Sequence, residues 1–178
     1  MKSSVDNDFI IQQFSQYSRM VLRIAFHNTS NMTEAEDITQ EVFLKLMKEK
    51  NGFVDEEHCK AWLIRVTINR CKDYLKCSRH NHNVPFIEEN LGTEHFNADL
   101  FDAGDKQVFV EISKLPINLK NVIYLHYIMG YTITEISNLL DKNENTVSSW
   151  LRRAKKKLRF SMEGDEMNES RKLYNGNE

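Results

Sequence analysis

Apolar residues recur at helical spacing along most of the chain, whereas strand-like alternation is scarce. Because only two prolines and six glycines interrupt this periodicity, the sequence predicts an all-α fold. A first helix is predicted over residues 6–27. Its apolar stripe consists of Phe9, Ile10, Phe14, Tyr17, Val21, Leu22 and Ala25.

Two further helices are predicted in the first half of the chain. Thr33 and Glu36 have the three-residue spacing of a capping box, which predicts the start of the second helix. Asn51-Gly52 is expected to end that helix. The third is predicted from Glu57 to Ser78. The residues expected to be buried are Ile38, Val42, Phe43 and Leu46 on the second helix and Trp62, Leu63, Val66, Ile68 and Leu75 on the third.

Residues 83–105 differ in composition from the segments on either side. They contain six acidic residues, one Pro and two Gly, and neither Lys nor Arg. This composition predicts a flexible acidic linker. The sequence therefore predicts two small helical domains, over residues 1–82 and 106–160, and a disordered polar tail over 161–178.

The second domain has the pattern of a helix-turn-helix. Helical periodicity runs from Val108 to Gly130, and Thr132 and Glu135 then form a second capping box. A turn at 141–143 follows, in which Asp141 stands where Gly is usual but tolerates the left-handed conformation. Asn143 is the predicted N-cap of the next helix. The buried stripe of that helix is Val147, Leu151, Ala154 and Leu158.

Charge makes this last helix a candidate for DNA binding. Six basic residues and no acid lie between Trp150 and Phe160, in a chain whose net charge is −2. One or two cations would be enough to complement a helix C-terminus, so six favour contact with phosphates over a merely solvated face. Two short helices, a tight turn and a basic second helix predict a helix-turn-helix that enters the major groove.

Composition bounds the remaining function classes. No apolar stretch approaches the ~18 residues of a membrane span, and the N-terminus lacks the pattern of a secretory signal, so a cytoplasmic protein is expected. No nucleophile–base pair or phosphate-binding loop is recognisable, so we expect neither enzymatic activity nor a cofactor. Three cysteines are an odd number, which favours reduced thiols. A zinc site around Cys77, His80 and His82 lacks paired ligand spacing and is disfavoured, so no metal is expected.

Two segments carry a family resemblance. EAEDITQEVFLKLM, followed by Phe53 and AWLIRVTINRCKDYL, resembles the extracytoplasmic-function (ECF) sigma factors of bacterial RNA polymerase. YTITEISNLLDKNENTVSSWLRRAKKKL resembles the second DNA-binding domain of the same family. The resemblance covers most of residues 9–160. It implies a sigma factor that binds core RNA polymerase and promoter DNA, directs transcription initiation and is regulated by an anti-sigma factor.

The resemblance also implies roles for residues of the first domain. Asp37, Gln40 and Glu41 match the motif that contacts the largest polymerase subunit. Phe53 and Asn69 match positions that capture a flipped base of the minus-ten element, although the residues alone are equally compatible with a core Phe and a solvated Asn. Contacts to the same element are implied for Arg65, Lys72, Asp73 and Lys76, and Arg70 is a further candidate for a phosphate contact.

In the second domain, the positions that read the minus-thirty-five element correspond to Ser148, Ser149, Trp150, Arg152, Arg153 and Lys156. Ser148 and Trp150 depart from the Lys or Arg frequent there, and core packing is at least as good an interpretation for Trp150. Arg153 is the best candidate for a guanine or phosphate contact. Two alternatives remain: a freestanding helix-turn-helix repressor or activator, and an adaptor that binds an anti-sigma protein without touching DNA.

Overall fold

A computed structural model describes residues 7–80 and 106–174, with side chains over 7–77 and 110–159. The regular elements in these ranges are helices, which confirms the all-α prediction. The chain divides into two compact units, with the boundary between Ala103 and Gly104. The predicted linker, 83–105, lies outside the described residues. None of the described helices is both long and apolar enough to cross a membrane.

The first unit contains three helices that pack against one another: α1 (Asn7–Thr29), α2 (Met32–Met47) and α3 (Glu56–His80). Each contributes an apolar stripe to a shared core, as the periodicity predicted. The most deeply buried apolar side chains are Val21, Ile24, Val42, Leu46, Leu63, Ile64 and Ile68. Phe14 is an exception to its predicted stripe, since 51% of its surface is exposed, although its ring forms a T-shaped pair with that of Phe43.

The start and end of α2 differ from the prediction. Its N-cap is Asn31, whose Oδ1 accepts a hydrogen bond from the Glu34 N–H at 3.2 Å. The predicted capping box at Thr33 is therefore wrong: Asn caps a helix at least as well as Thr, and Asn31 comes first in the chain. The helix ends at Met47, with Lys48 as C-cap, so Asn51-Gly52 lies in the connection to α3.

The second unit contains α4 (Lys106–Ser113), α5 (Ile117–Ile123), α6 (Ile133–Leu140) and α7 (Glu144–Tyr174). Pro116 is the N-cap of α5 and interrupts the stretch from Val108 to Gly130, because proline cannot continue a preceding helix. A π-helical turn, Tyr124–Ile128, follows α5 directly. The unit's core is formed mainly by Leu119, Val122, Leu125, Ile136, Leu139, Val147, Leu151 and Ala154.

The backbone of α7 continues beyond the predicted domain end at residue 160. It is helical over 161–174, where the sequence analysis predicted a disordered tail, so that prediction is wrong for these residues. The segment contains Met, Glu, Lys and Arg, which are good helix formers, and no proline. A polar composition alone was therefore not sufficient to predict the backbone conformation of this segment.

Candidate nucleic-acid interface

A capping box fixes the first helix of the helix-turn-helix. The Thr132 Oγ1 accepts a hydrogen bond from the Glu135 N–H at 3.3 Å, and Glu135 Oε2 accepts one from the Thr132 N–H at 2.7 Å. The Thr132 hydroxyl also donates to Glu135 Oε2. These bonds, that of the backbone N–H above all, lower the pKa of Glu135. The predicted capping box is confirmed.

The turn between the two helices also follows the prediction. Asp141 adopts the left-handed conformation, with φ 53° and ψ 54°, and the Lys142 N–H then donates to Ser137 O at 2.9 Å. Asn143 Oδ1 accepts from the Thr146 N–H at 2.7 Å, which makes Asn143 the cap of α7. Local hydrogen bonds thus determine the direction in which α7 leaves α6.

The two sides of α7 have different chemistry. Val147, Leu151 and Ala154 are buried, and α7 packs on α5 and α6. The exposed side carries Ser148, Arg152, Arg153, Lys155, Lys156 and Lys157. Ser149 and Trp150 are half-buried, so Trp150 both packs on the unit and presents part of its ring to solvent. The exposed side is therefore strongly cationic, as phosphate binding requires.

The π-helical turn contributes to this surface. Tyr127 lies in this turn and is 51% exposed. The Lys155 ammonium lies 5.2 Å from the centroid of the Tyr127 ring, which is a cation–π distance. His126 Nδ1 lies 2.8 Å from Tyr131 O and connects the turn to the segment before α6. One cation of α7 is thus engaged within the unit.

In the first unit, α2 presents the three residues of the predicted polymerase motif on its solvent side. Asp37, Gln40 and Glu41 are all exposed. Leu44 lies one turn beyond Gln40 and is 53% exposed. Leu44 was not among the predicted site residues, although an apolar residue outside the stripe of Val42 and Leu46 is a usable signal. We call Asp37, Gln40, Glu41 and Leu44 the α2 face.

An ion pair joins the α2 face to α3. The Arg70 Nε donates to Glu41 Oε2 at 2.6 Å, and its Nη2 contacts the same oxygen. Both side chains are partly exposed, at 42% for Arg70 and 47% for Glu41. Glu41 and Arg70 were predicted to contact different partners, polymerase and DNA, and their contact with each other was not predicted.

The candidate strand-reading residues share one side of α3. Arg65, Asn69, Asp73 and Lys76 are exposed and Lys72 is half-buried, at spacings of three and four residues. Asp73 and Lys76 lie 4.0 Å apart as an ion pair. We call these five residues the α3 face. Its charge is mixed, unlike that of α7.

Phe53 does not belong to this face. Its side chain is only 2% exposed, and its ring packs on Phe9, His58 and Trp62 at centroid distances of 6.0, 5.6 and 5.7 Å. A stacking platform for an unpaired base needs an accessible ring face. The burial of Phe53 therefore favours the alternative, an ordinary core residue, over the predicted capture role.

Polar contacts fix the start of α3, in the turns of the helix that precede the α3 face. Asp55 Oδ1 accepts from the His58 N–H at 2.7 Å and caps the helix. The Tyr17 hydroxyl of α1 donates to Glu56 Oε1 at 2.7 Å. Burial, together with this carboxylate, raises the pKa of Tyr17, and the hydrogen bond from Tyr17 lowers the pKa of Glu56.

The cysteines show no arrangement that indicates a metal site. Cys59 and Cys71 are buried, and Cys77 is exposed. Burial raises the pKa of the Cys59 thiol to about 11, so this thiol is protonated at neutral pH. Within the described parts of the chain, no cluster of three His, Cys, Asp or Glu side chains could hold a metal ion. His82, one of the candidate ligands, lies outside them.

Each unit matches one family model. Residues 13–80 match Sigma-70 region 2, and residues 107–158 match Sigma-70, region 4. The two matches occur in this order along one chain and together span more than half of it. The chain belongs to the sigma-70 family.

Individual sigma factors resemble the whole chain. The RNA polymerase sigma factor SigV of Bacillus subtilis is 22% identical over 171 residues, which cover 93% of this chain and 98% of the relative. The ECF sigma factor SigM of the same species is 27% identical and covers 82% of this chain and 90% of its own length. The ECF sigma-E factor of Haemophilus influenzae is also 27% identical, over 81% and 82%.

Two solved structures share the fold of this sigma factor. The sigma factor RpoE from Bartonella quintana, solved in complex with the anti-sigma factor NepR, has a TM-score of 0.69 at 20% identity and covers 89% of this chain and 98% of its own. CnrH, solved with the cytosolic domain of CnrY, has a TM-score of 0.65 at 19% identity and covers 90% and 92%. Both likenesses support the two-unit helical architecture.

Proposed function

We propose that this sigma factor divides its task among three faces. The α2 face docks on core RNA polymerase, the α3 face engages the opened minus-ten element, and the exposed side of α7 grips the minus-thirty-five duplex. The observation that carries this proposal is the separation of chemistry within the described units. Acidic and amide groups with one leucine lie on α2, a mixed polar face lies on α3, and a cationic helix lies in a helix-turn-helix.

The α3 face suits an unpaired strand better than a duplex. Asn69 offers an exposed amide that can both donate and accept hydrogen bonds on a base edge. Arg65, Lys72 and Lys76 supply cations for the adjoining phosphates, while Asp73 limits the net charge. With Phe53 in the core, Asn69 is the best remaining candidate for base capture.

On α7, Arg152, Arg153 and Lys156 are the proposed contacts to the minus-thirty-five element, with Ser148 and Ser149 as shorter hydrogen-bonding neighbours. A guanidinium can bond guanine bidentately in the major groove. The partly exposed edge of Trp150 is suited to apolar contact beside them. In this proposal the protein acts in the cytoplasm and supplies recognition, and the polymerase performs all catalysis.

The proposal includes regulation by an anti-sigma protein. Two structurally similar sigma factors were solved with such proteins or their domains, and this chain has the same fold. The first unit also exposes apolar side chains that a protein partner would cover, namely Ile11, Phe14, Leu44 and Met47. Contiguous exposed apolar side chains mark protein interfaces, and these four lie on the adjacent helices α1 and α2.

The test compares docking and DNA binding in one purified system. The double variant Gln40→Ala/Glu41→Ala should lose affinity for core polymerase, whereas Arg153→Ala should bind core normally and lose promoter binding as holoenzyme. The measurements are fluorescence-detected core binding and run-off transcription from a genomic promoter library. Tight, sequence-specific DNA binding by the free protein, without transcription when core is added, would instead identify a freestanding repressor.

A further inference from the structure

We propose that Arg70 is a positioning residue for polymerase docking and does not contact promoter phosphates. It acts through Glu41, whose carboxylate it holds in a fixed orientation on the α2 face. This inference rests on the proposed docking role of that face. The observations that carry it are the geometry of the ion pair and the position of Arg70 on α3.

The contacts with Arg70 leave one of the two oxygens of the Glu41 carboxylate available. Both Arg70 contacts, from Nε and from Nη2, are to Oε2 of Glu41. Among the described residues, Oε1 of Glu41 accepts no hydrogen bond. A carboxylate has two oxygens and accepts several bonds, so the held Glu41 can still bind a donor from a partner protein. The partner that this arrangement fits is an Arg or Lys side chain of the polymerase.

The position of Arg70 separates it from the strand-reading residues. Arg65, Asn69, Asp73 and Lys76 recur every three or four residues and form one stripe on α3, whereas Arg70 is displaced from that stripe by about 100° relative to Asn69. Its guanidinium is directed to α2 by the contact with Glu41. A phosphate would have to displace this carboxylate before it could bind Arg70.

The pair is better suited to preorganisation than to stability. Both side chains are more than a third exposed, and ion pairs in such positions contribute little to folding. An unrestrained Glu side chain loses rotamer freedom when it binds a partner. Because Arg70 already restricts Glu41, docking incurs less of this loss. Asp37 and Gln40 have no comparable tether among the described residues.

The experiment is a double-mutant cycle on core polymerase affinity with the full chain. Arg70→Ala should weaken core binding by about threefold to tenfold, which lies in the lower part of the coupling expected for two residues in one ion pair. The same substitution in a Glu41→Ala background should have almost no further effect. Arg70→Lys should recover only part of the affinity, since an ammonium lacks the planar fork of donors.

Two controls distinguish positioning from other roles. Lys60→Ala removes another cation of an ion pair on α3, with Glu57 at 3.6 Å, and should leave core affinity unchanged. With saturating core, binding to a pre-opened promoter should keep its wild-type salt dependence in Arg70→Ala. Arg65→Ala should reduce the slope of log K against log salt by about 0.7, as expected for one lost contact to a single strand.

Three outcomes would overturn the inference. Core binding unaffected by Arg70→Ala excludes a positioning role, and equal losses with and without Glu41 indicate a general structural effect. A reduced salt slope in Arg70→Ala would restore the phosphate contact. If Glu41→Ala and Gln40→Ala both bind core normally, the docking role of the α2 face is wrong, which is a separate failure of the proposed function.

Discussion

The exposed faces of the two units differ in how their charge is arranged. From Leu151 to Arg159, α7 carries six cations and no acid. On α3, the cations of the exposed face alternate with Asn69 and Asp73, and Lys76 is paired with Asp73. The neighbouring α2 face contributes two further acids. One unit therefore presents a continuous positive surface and the other a mixed one.

In the proposed function, this difference means that the two units recognise DNA for different physical reasons. Attraction to duplex phosphates is long-ranged and needs little geometry, so α7 can contribute affinity wherever it meets DNA. A mixed face gains little from such attraction. It must instead be brought to an already accessible base, which is what docking on polymerase would provide. Affinity is thus expected mainly from the second unit and strand selectivity from the first.

The largest expected effect is a difference in stability between a buried and an exposed substitution in the first unit. Phe53→Ala should destabilise the protein by about 3–5 kcal/mol, because it empties a site packed on Phe9, His58 and Trp62. Asn69→Ala, on the exposed face, should change stability by no more than about 0.5 kcal/mol. Urea unfolding followed by circular dichroism measures both. The Asn69 variant should nevertheless fail on paired promoters and recover on a template with a pre-opened minus-ten bubble.

A Phe53→Ala variant that unfolds like wild type would contradict the core assignment and return the ring to the candidate capture residues. Phe53→Leu is the matched control, since it keeps most of the apolar volume and should lose far less stability. If Asn69→Ala transcribes paired templates normally, the α3 face does not read the strand through this amide.

Residues at helical spacing made much of the fold predictable. The stripes of α2 and α7 were found from periodicity, and the capping box and turn of the helix-turn-helix follow from residues at most three positions apart. Such signals are local. The N-cap of α2 was misplaced because Asn31 and Thr33 are both suitable caps, and local preference does not decide between them.

The candidate site was less predictable because its decisive contacts are distant in sequence. Arg70 and Glu41 are 29 positions apart, and both look like solvated charges in the sequence. Phe53 lies in the connection between α2 and α3, where no periodicity reports burial. Only the packing of α1 and α3 around it shows that its ring is enclosed. The family resemblance located the faces but not which of their members are committed to internal contacts.

The next prediction tests whether the second unit supplies affinity. Arg153→Ala should weaken promoter binding by the holoenzyme by about 1–3 kcal/mol and lower its salt slope by about 1, because it removes an exposed cation that has no partner among the described side chains of its unit. Lys155→Ala should lower the slope less, since that ammonium lies over Tyr127. Filter binding across a salt series measures both. Equal slopes for wild type and Arg153→Ala would contradict the proposed charge division.

A smaller effect compares the helix caps of the two units. Thr132→Ala in the second unit and Asn31→Ala in the first should each cost about 1 kcal/mol, because each removes a side-chain acceptor from the first turn of a helix. Thr33→Ala is the control and should be nearly neutral. Urea unfolding of the full chain measures all three. A larger loss for Thr33→Ala than for Asn31→Ala would restore the capping box predicted from the sequence.

Each unit also contains a carboxylate whose pKa is lowered by folding, but the hydrogen-bond partners of the two carboxylates differ. Glu56 accepts a hydrogen bond from Tyr17 across two helices, whereas Glu135 accepts its bonds from Thr132 within one turn. Both carboxyl pKa values are lowered in the folded protein. The pKa of Tyr17 is raised. The threonine hydroxyl does not titrate in this range. The stabilisation that comes from the Tyr17–Glu56 hydrogen bond is therefore lost in both acid and alkali, whereas that from the Thr132–Glu135 bonds is lost only in acid.

The smallest expected effect is therefore a difference in pH dependence. A lowered carboxyl pKa stabilises the fold above the ordinary Glu value of about 4.3, and this contribution is lost as the pH falls through the lowered pKa. A raised tyrosine pKa stabilises the fold below about pH 10, and this contribution is lost as the pH rises towards the raised pKa. Tyr17→Phe should reduce the pH dependence of stability in both acid and alkali, whereas Thr132→Val should reduce it in acid alone and only in part, because the backbone N–H of residue 132 still donates to Glu135. Urea midpoints of the full chain across the pH range measure this, and a Tyr17→Phe curve parallel to wild type in alkali would show that the hydroxyl is not held by Glu56.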